Sequence, residues 1–408
     1  MSADLFAPQG RWRVYTGAVA GPLLRQWTSS KVQVPRTGVG GCELVYPADG
    51  PDAHRLTDDY LAALGYETMA ADGSWHEPAN CRFLPLRRTY DAVNRTVTVS
   101  GASMGWLAGK VVRWPDTSRE TDGKVVFTAE SAGQILQWLY YFAMLRQTIR
   151  NLAMDWDAFL DSDAQPWAEV YTMDLERGVT WRQVIDGFAT DGLVWRTSGW
   201  TMQLAQGCFA DELATTPILY DGIDVTLDRV EVSIEDAAGT VLATGKDGYW
   251  GHDQVAALPV FGRWEVATTA SDVAHGSTLD RVAESELTRR GLSRAAAMVT
   301  LLPSARFRPF DTVGPGQTIT VVSETPPVGP ARWDVDRWDS GAHWGGPQPW
   351  WRQITGRIEE VTITDDGKAA TVALAIGEQT RSATDLLTRS VAAITGGRVA
   401  RGALAGRA

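Results

Sequence analysis

The sequence predicts an α+β protein in which β-structure dominates. Short runs of β-branched and aromatic residues recur between turn-forming residues along most of the chain. The clearest pair, Gln353 to Thr364 and Ala369 to Ile376, alternates apolar and polar residues on either side of Asp365-Asp366-Gly367, which predicts a β-hairpin. Capping signals ahead of apolar stretches add a smaller number of helices.

The first hundred residues are predicted to be mainly strands with one surface helix. Segments rich in β-branched and aromatic residues, bounded by Gly, Pro or Asn, predict strands at Arg11 to Ala20, Cys42 to Tyr46, Cys81 to Thr89 and Arg95 to Ser100. The last two flank a turn and predict a hairpin. Asp52 to Leu64 has apolar residues at helical spacing and precedes Gly65, which predicts a helix closed by a glycine cap.

Two helices in the middle of the chain begin with capping boxes. Ser131 with Gln134 precedes a wide apolar stripe that reaches Leu152 and needs burial on more than one side. Thr180 with Gln183 starts the other helix, which ends at Gly192. The strands Leu193 to Arg196 and Thr201 to Ala205 follow it as a hairpin.

The last two hundred residues repeat this mixture. Ile223 to Ile234 and Thr240 to Thr244 predict a hairpin, and Thr278 to Arg290 predicts a helix closed by Gly291. Further strands and a final helix are predicted at Ala296 to Leu302, Gln317 to Val322 and Ala383 to Ile394.

Composition changes divide the chain into four predicted regions. These are an N-terminal β-rich domain at 1–115, a helix-rich α/β segment at 116–210, a second β-rich domain at 211–380 with a Trp-rich insertion at 331–352, and a C-terminal helix with a flexible basic tail at 381–408.

Charge and cysteine content exclude some functions. The formal net charge is −11, the wrong sign for a surface that binds nucleic-acid phosphates tightly. The three cysteines show no disulfide or zinc spacing, which favours a reducing compartment. No signal peptide or membrane-spanning run is recognisable, so we expect a chain that is neither secreted by a signal peptide nor inserted in a membrane.

Five of the 18 tryptophans lie between Ala331 and Trp351, among Gly, Pro and Asp residues. Their spacing fits neither a strand nor a helix, so the segment is predicted to be an extended loop or long hairpin. Such rings need apolar cover from their own domain, from a protein partner or from a sugar, and the sequence leaves all three open. The candidate interface residues, for protein or glycan, are Trp333, Trp338, Trp344, Trp350 and Trp351.

Signatures of catalysis, cofactor binding and metal binding are missing from the sequence, so we expect neither an enzyme nor a cofactor. A loop carrying Asp155, Asp157, Asp161 and Asp163 has the carboxylates of a calcium site but lacks its Gly and closing Glu, which favours a solvated loop. Asp334, Asp336 and Asp339 among the tryptophans leave glycoside hydrolysis as an alternative.

The chain resembles the tail-tip or baseplate hub proteins, often called minor tail proteins, of long-tailed phages, especially those that infect actinobacteria. The segments that carry the resemblance are spread over most of the stretch from Arg11 to Ile376. They are WHEPAN at Trp75 to Asn80, Arg95 to Leu107, Thr180 to Trp200, Arg308 to Val321 and the WDVDRWD run.

The resemblance implies two barrel-like β domains with inserted helices, and a homotrimer whose pseudo-sixfold ring continues the tail tube. It also implies a virion structural protein that is made in the host cytoplasm and lies at the tail tip. Its partners would be the distal tail protein, the tape measure protein and fibre or receptor-binding proteins, with transient passage of DNA at genome ejection and a role in host attachment. The alternatives are a protein that binds or cleaves host cell-wall glycan through the Trp-rich loop, and an assembly chaperone.

Overall fold

The computed structural model describes most of the chain up to residue 377. The described ranges are 10–58, 61–115, 120–190, 192–212, 216–233, 238–245, 248–254, 264–269, 276–290, 294–303, 306–323, 353–367 and 369–377. The five candidate tryptophans and the predicted C-terminal helix lie outside them.

The first part of the chain is built mainly from strands. In order, its elements are β1 (Gly10–Thr16), β2 (Val19–Leu23), β3 (Ser29–Pro35), β4 (Gly41–Pro47), α1 (Ala53–Thr57), β5 (Leu61–Met69), β6 (Trp75–His76), β7 (Arg82–Asp91), β8 (Thr96–Ser103) and a 3-10 helix at Met104–Lys110.

The middle of the chain contains the two capped helices between short sheets. Its elements are β9 (Glu120–Thr121), β10 (Lys124–Ser131), α2 (Ala132–Leu145), β11 (Ala153–Met154), β12 (Val170–Glu176), α3 (Trp181–Thr190), β13 (Leu193–Ser198) and β14 (Thr201–Gln206).

The last part returns to strands, with one helix. Its elements are β15 (Ile218–Tyr220), β16 (Val225–Ser233), β17 (Thr240–Thr244), β18 (Trp250–Gln254), β19 (Glu265–Thr269), α4 (Gly276–Arg290), β20 (Arg294–Leu301), β21 (Thr318–Val322), β22 (Gln353–Asp365) and β23 (Ala370–Ile376).

One large sheet joins the first and last parts of the chain. Its strand order is β16-β20-β23-β22-β3-β4-β8-β7-β5-β1-β2, with β21 pairing β22 and β15 beside it. The junction is the antiparallel pair of β22 with β3, in which Val361 lies opposite Val34 and Ile363 opposite Val32. All four side chains are buried in one core that both parts share.

A second core lies in the middle segment. It contains the inner faces of α2 and α3 together with β10, β13 and β14, and it also takes in Tyr15 and Ala63 from the large sheet. A third, smaller core forms where α4 packs on the sheet β18-β17-β19. The chain leaves β16 for this small module at Ser233 and returns to β20 at Arg294, its register partner.

Most predicted elements are present, and the α+β, β-dominant class is confirmed. The capping box of Ser131 with Gln134 starts α2, and both of its hydrogen bonds are formed. The hairpins β7–β8, β13–β14 and β22–β23 also pair as predicted.

Helix α2 ends at Leu145, short of the predicted Leu152. Three other predictions of local structure were wrong. Arg11 to Ala20 is two paired strands rather than one, because Gly17, at φ +60°, makes a tight turn between them. The predicted helix ends at Thr57, since Leu61–Met69 is buried as a strand between β1 and β7. Gly65 therefore lies inside that strand and caps no helix.

The third error concerns β16 and β17, which were predicted to form a hairpin with each other. Both strands exist, but β16 pairs with β20 whereas β17 pairs with β18 and β19. Among the described helices, none is long and apolar enough to span a membrane.

Candidate assembly surface

The Trp-rich segment connects two strands that are partners in the sheet. β21 and β22 run antiparallel, and Val322 lies opposite Gln353 at the end where the connecting segment leaves and returns. This agrees with the predicted insertion between two strands. Trp333, Trp338, Trp344, Trp350 and Trp351 lie outside the described residues, as do Asp334, Asp336 and Asp339, so their roles stay predictions.

Helix α2 is apolar on two sides, as its wide stripe predicted. One side, with Ile135, Leu136 and Leu139, is buried in the second core. No charged residue occurs between Ala132 and Leu145, so nothing on the other side favours water strongly.

We define the α2 outer face as Trp138, Tyr141, Phe142 and Leu145, which helical spacing brings together. Trp138 lies at its edge and also packs against Phe127 of the second core. Tyr141 and Leu145 are 58% and 61% exposed. The ring centroids of Trp138 and Phe142 lie 4.8 Å apart, so the aromatic part of the face is packed against itself.

Trp114 is a further exposed apolar ring near the end of α2. Its ring is 61% exposed, and the guanidinium of Arg146 lies 5.5 Å from its centroid. Arg146 also donates a hydrogen bond of 3.0 Å to the carbonyl of Val112. Arg146 thus ties the segment that carries Trp114 to the C-terminal end of α2. Exposed rings such as Tyr141 and Trp114 are typical of protein interfaces.

A charged cluster occupies the boundary between the large sheet and the second core. Arg82 lies with its guanidinium carbon 4.1 Å from the Tyr15 ring centroid and 5.3 Å from that of Trp200. Its Nε is 3.0 Å from Glu77 Oε1, and the Tyr15 hydroxyl donates to Glu77 at 3.1 Å. Burial raises the pKa of Glu77, although the charge and hydrogen bonds of Arg82 and the Tyr15 hydrogen bond oppose that shift.

A second carboxylate on the same sheet shifts in the opposite direction. Glu67 is buried and is bound by both Arg11 and Arg13. Its burial favours the neutral form, but the hydrogen bonds and charges of Arg13 and Arg11 together lower the pKa of Glu67. Arg11 also lies 4.2 Å over the ring of Trp75. The charged groups of both clusters are therefore paired within the protein and packed against neighbouring aromatic rings.

Asn80 connects the large sheet to the middle segment. Its side-chain oxygen accepts hydrogen bonds from the amide and hydroxyl of Thr197, and its side-chain nitrogen donates to Pro35. The sequence does not reveal this partner, because Thr197 lies far along the chain. The residue type was the one signal in the sequence, because Asn tolerates the left-handed backbone that Asn80 adopts at φ +59°.

The aspartate loop uses its carboxylates as acceptors for the protein's own donors. Asp157 accepts from the amides of Phe159 and Leu160. Asp161 accepts from the amides at positions 163 and 165, Asp163 accepts from the amide of Ala210, and Asp155 accepts from the side chain of Gln203. Within the described ranges, no group of three or more His, Cys, Asp or Glu residues is arranged to hold a metal ion. The loop geometry supports a structural interpretation of these carboxylates.

Comparison with known proteins identifies the fold and no more. No protein-family model matches the sequence, and no curated protein is similar to it. Solved structures similar to the chain include three tail proteins. One is a 43 kDa tail protein of prophage MuSo2 from Shewanella oneidensis, with a TM-score of 0.53 and 11% identity over 90% of this chain and 97% of that chain. The second is a tail protein from Neisseria meningitidis, with a TM-score of 0.54 and 11% identity over 91% of this chain and 97% of that chain. The third is a prophage tail protein from Listeria monocytogenes, with a TM-score of 0.53 and 8% identity over 94% of this chain and 99% of that chain.

Proposed function

We propose that this chain is a structural protein of a phage tail tip or baseplate. The observation that carries the proposal is the fold, which matches those three tail proteins over nearly the whole length of this chain and of each tail protein. Fold alone does not define function. The α2 outer face and Trp114 add a physical reason to expect assembly, because exposed rings lower their free energy when a neighbouring protein covers them.

In the finer form of the proposal, three copies form the hub at the tip of the tail and continue the tail tube. The α2 outer face then meets a neighbouring protein of the tail. The hub would lie between the distal tail protein and the tape measure protein, and it would anchor fibre or receptor-binding proteins. The same proposal includes that the protein is made in the host cytoplasm and that it belongs to a phage that infects actinobacteria.

The net negative charge of the chain favours a channel through which DNA passes over a site that binds DNA. A net charge of −11 repels phosphates weakly, and it gives a channel wall to which passing DNA does not adhere. The proposed role is structural rather than catalytic. In the described part of the chain, Glu67 and Glu77 are bound in internal ion pairs with arginines.

Mass photometry of the purified full-length chain tests the proposal. We expect a species of three chain masses, and electron microscopy of that species should show a threefold ring around an open axis. A monomer that persists at micromolar concentration would contradict the hub. The glycan alternative for the Trp-rich segment stays a prediction of the sequence.

A further inference from the structure

The small module between β16 and β20 has one covered face and one open face. α4 covers the side of β17 and β18 that carries Val241, Ala243 and Gly251. Gly251 permits this contact, because a Cβ there would lie 2.3 Å from the backbone nitrogen of Asp280. The alternation of side chains in strands places every second residue on the opposite side.

The open face consists of three cross-strand rows. The register gives Trp250–Thr244–Thr269, His252–Leu242–Ala267 and Gln254–Thr240–Glu265. Trp250 is 59% exposed, and its ring centroid lies 5.5 Å from that of His252 at an interplanar angle of 43°. The Thr244 and Thr269 hydroxyls lie 3.3 Å apart beside it. The face therefore combines two exposed rings with hydroxyl, amide and carboxylate groups.

We propose that this open face binds a neutral carbohydrate chain, with Trp250 and His252 as its stacking platform. A pyranose whose substituents are equatorial presents a flat face of C–H bonds, which suits the negative face of an indole ring. Its hydroxyls lie at the rim, where the side chains of Thr244, Thr269 and Gln254 offer donors and acceptors. A β-linked chain of glucose-like units has this geometry in every unit.

The charges of the face exclude other ligands. The described strands β17, β18 and β19 contain no Lys or Arg, and Glu265 on the open face is acidic. A nucleic acid or an acidic sugar would lack a counter-charge there. The direct cross-strand neighbours of Trp250 are Thr244 and Thr269, and Leu242 in the next row is the one large aliphatic side chain among the described residues of this face. A neutral sugar fits this pattern of a ring flanked by hydroxyls.

Binding is tested with the full-length protein and three probes. Saturation-transfer NMR and calorimetry are run with cellotetraose, with the β-1,4-linked tetramer of N-acetylglucosamine, and with α-linked maltotetraose. We expect binding of at least one β-linked tetramer in preference to maltotetraose. Trp250→Ala should weaken that binding about ten-fold or more, which corresponds to at least ~1.4 kcal/mol.

Tyr90→Ala is the matched control, because Tyr90 is an aromatic residue that is 61% exposed and lies on β7 of the large sheet rather than on this face. It should bind as the unchanged protein does, and circular dichroism should show both variants folded. The proposal is overturned if neither β-linked tetramer binds at millimolar concentration. It is also overturned if binding survives Trp250→Ala but disappears when residues 331–351 are replaced by a short Gly-Ser linker, since the Trp-rich segment would then be the site. Neither result bears on trimer formation.

Discussion

Asn80 forms hydrogen bonds, through its backbone and its side chain, with the amide, hydroxyl and carbonyl groups of Thr197, which lies 117 residues further along the chain. The side-chain oxygen of Asn80 accepts hydrogen bonds from the Thr197 amide at 2.9 Å and from the Thr197 hydroxyl at 3.1 Å. The backbone amide of Asn80 donates to the Thr197 carbonyl. Asn80 is 1% exposed and Thr197 is also 1% exposed. These buried bonds therefore fix the middle segment against the large sheet.

Asn80→Ala should destabilise the protein by about 2 to 4 kcal/mol, because it leaves two buried donors of Thr197 without an acceptor and puts alanine at a positive φ. The measurement is urea unfolding followed by tryptophan fluorescence. Asn94→Ala is the control, since Asn94 is an exposed turn residue bonded to Asp91, and it should cost less than about 1 kcal/mol. Equal losses in the two variants would refute the anchoring role.

Glu67 and Glu77 should give pH dependences of opposite sign. The lowered pKa of Glu67 means that its ionisation stabilises the folded protein above its ordinary pKa, and that this contribution is lost as pH falls through the lowered value. Glu67→Gln should therefore be most destabilising at neutral pH, by about 1 to 3 kcal/mol, and approach the unchanged protein in acid.

The raised pKa of Glu77 reverses this trend. The unchanged protein loses stability as pH rises from the ordinary glutamate pKa through the raised one, and Glu77→Gln lacks that loss. The difference in unfolding free energy between the unchanged protein and Glu77→Gln should therefore fall with rising pH. Denaturation series between pH 3 and 7 measure both trends, in roughly the range where glutamates titrate. Parallel profiles for the two variants would contradict the assigned environments.

Tyr141→Lys and Leu145→Lys should each weaken assembly while leaving the fold intact. Both side chains are exposed on the α2 outer face, so a charge costs little in the single chain, about 0.5 kcal/mol or less. The same charge is costly once a neighbour covers it. Mass photometry should show a shift towards monomers. Val93→Lys, at an isolated turn residue that is 90% exposed, should assemble normally. Unchanged assembly of both α2 variants would exclude this face from the interface.

Two helical glycines should respond to alanine with opposite signs. A Cβ on Gly133 in α2 would lie 2.2 Å from the carbonyl oxygen of Asp157 and 2.4 Å from Trp167 Nε1, so Gly133→Ala should cost about 1 to 3 kcal/mol. A Cβ on Gly187 in α3 meets nothing within 4 Å. Gly187→Ala should stabilise by about 0.5 to 1 kcal/mol through helix propensity. Thermal unfolding of the two variants side by side measures both effects, and a loss in both would show that α3 is also tightly packed there.

Elements fixed by contacts between near neighbours were predictable from the sequence. Ser131 and Gln134 form their capping box within one turn of helix, and Asp365 accepts the amide of Gly367 in the β22–β23 turn. The sequence also predicted that α2 needs cover on more than one side, because so wide an apolar stripe cannot be buried by one neighbour. These features depend on residues only two to four positions apart.

Partners distant in sequence were decided by the tertiary structure alone. Leu61–Met69 has the apolar content of either a helix or a strand, and pairing with β1 and β7 selects the strand. Likewise, β17 forms its sheet with β18 and β19 rather than with the preceding β16, and β3 meets β22 from the far end of the chain. The physical reason is that strand pairing and core packing depend on which surfaces meet in space, whereas local sequence specifies only which segments are able to form strands.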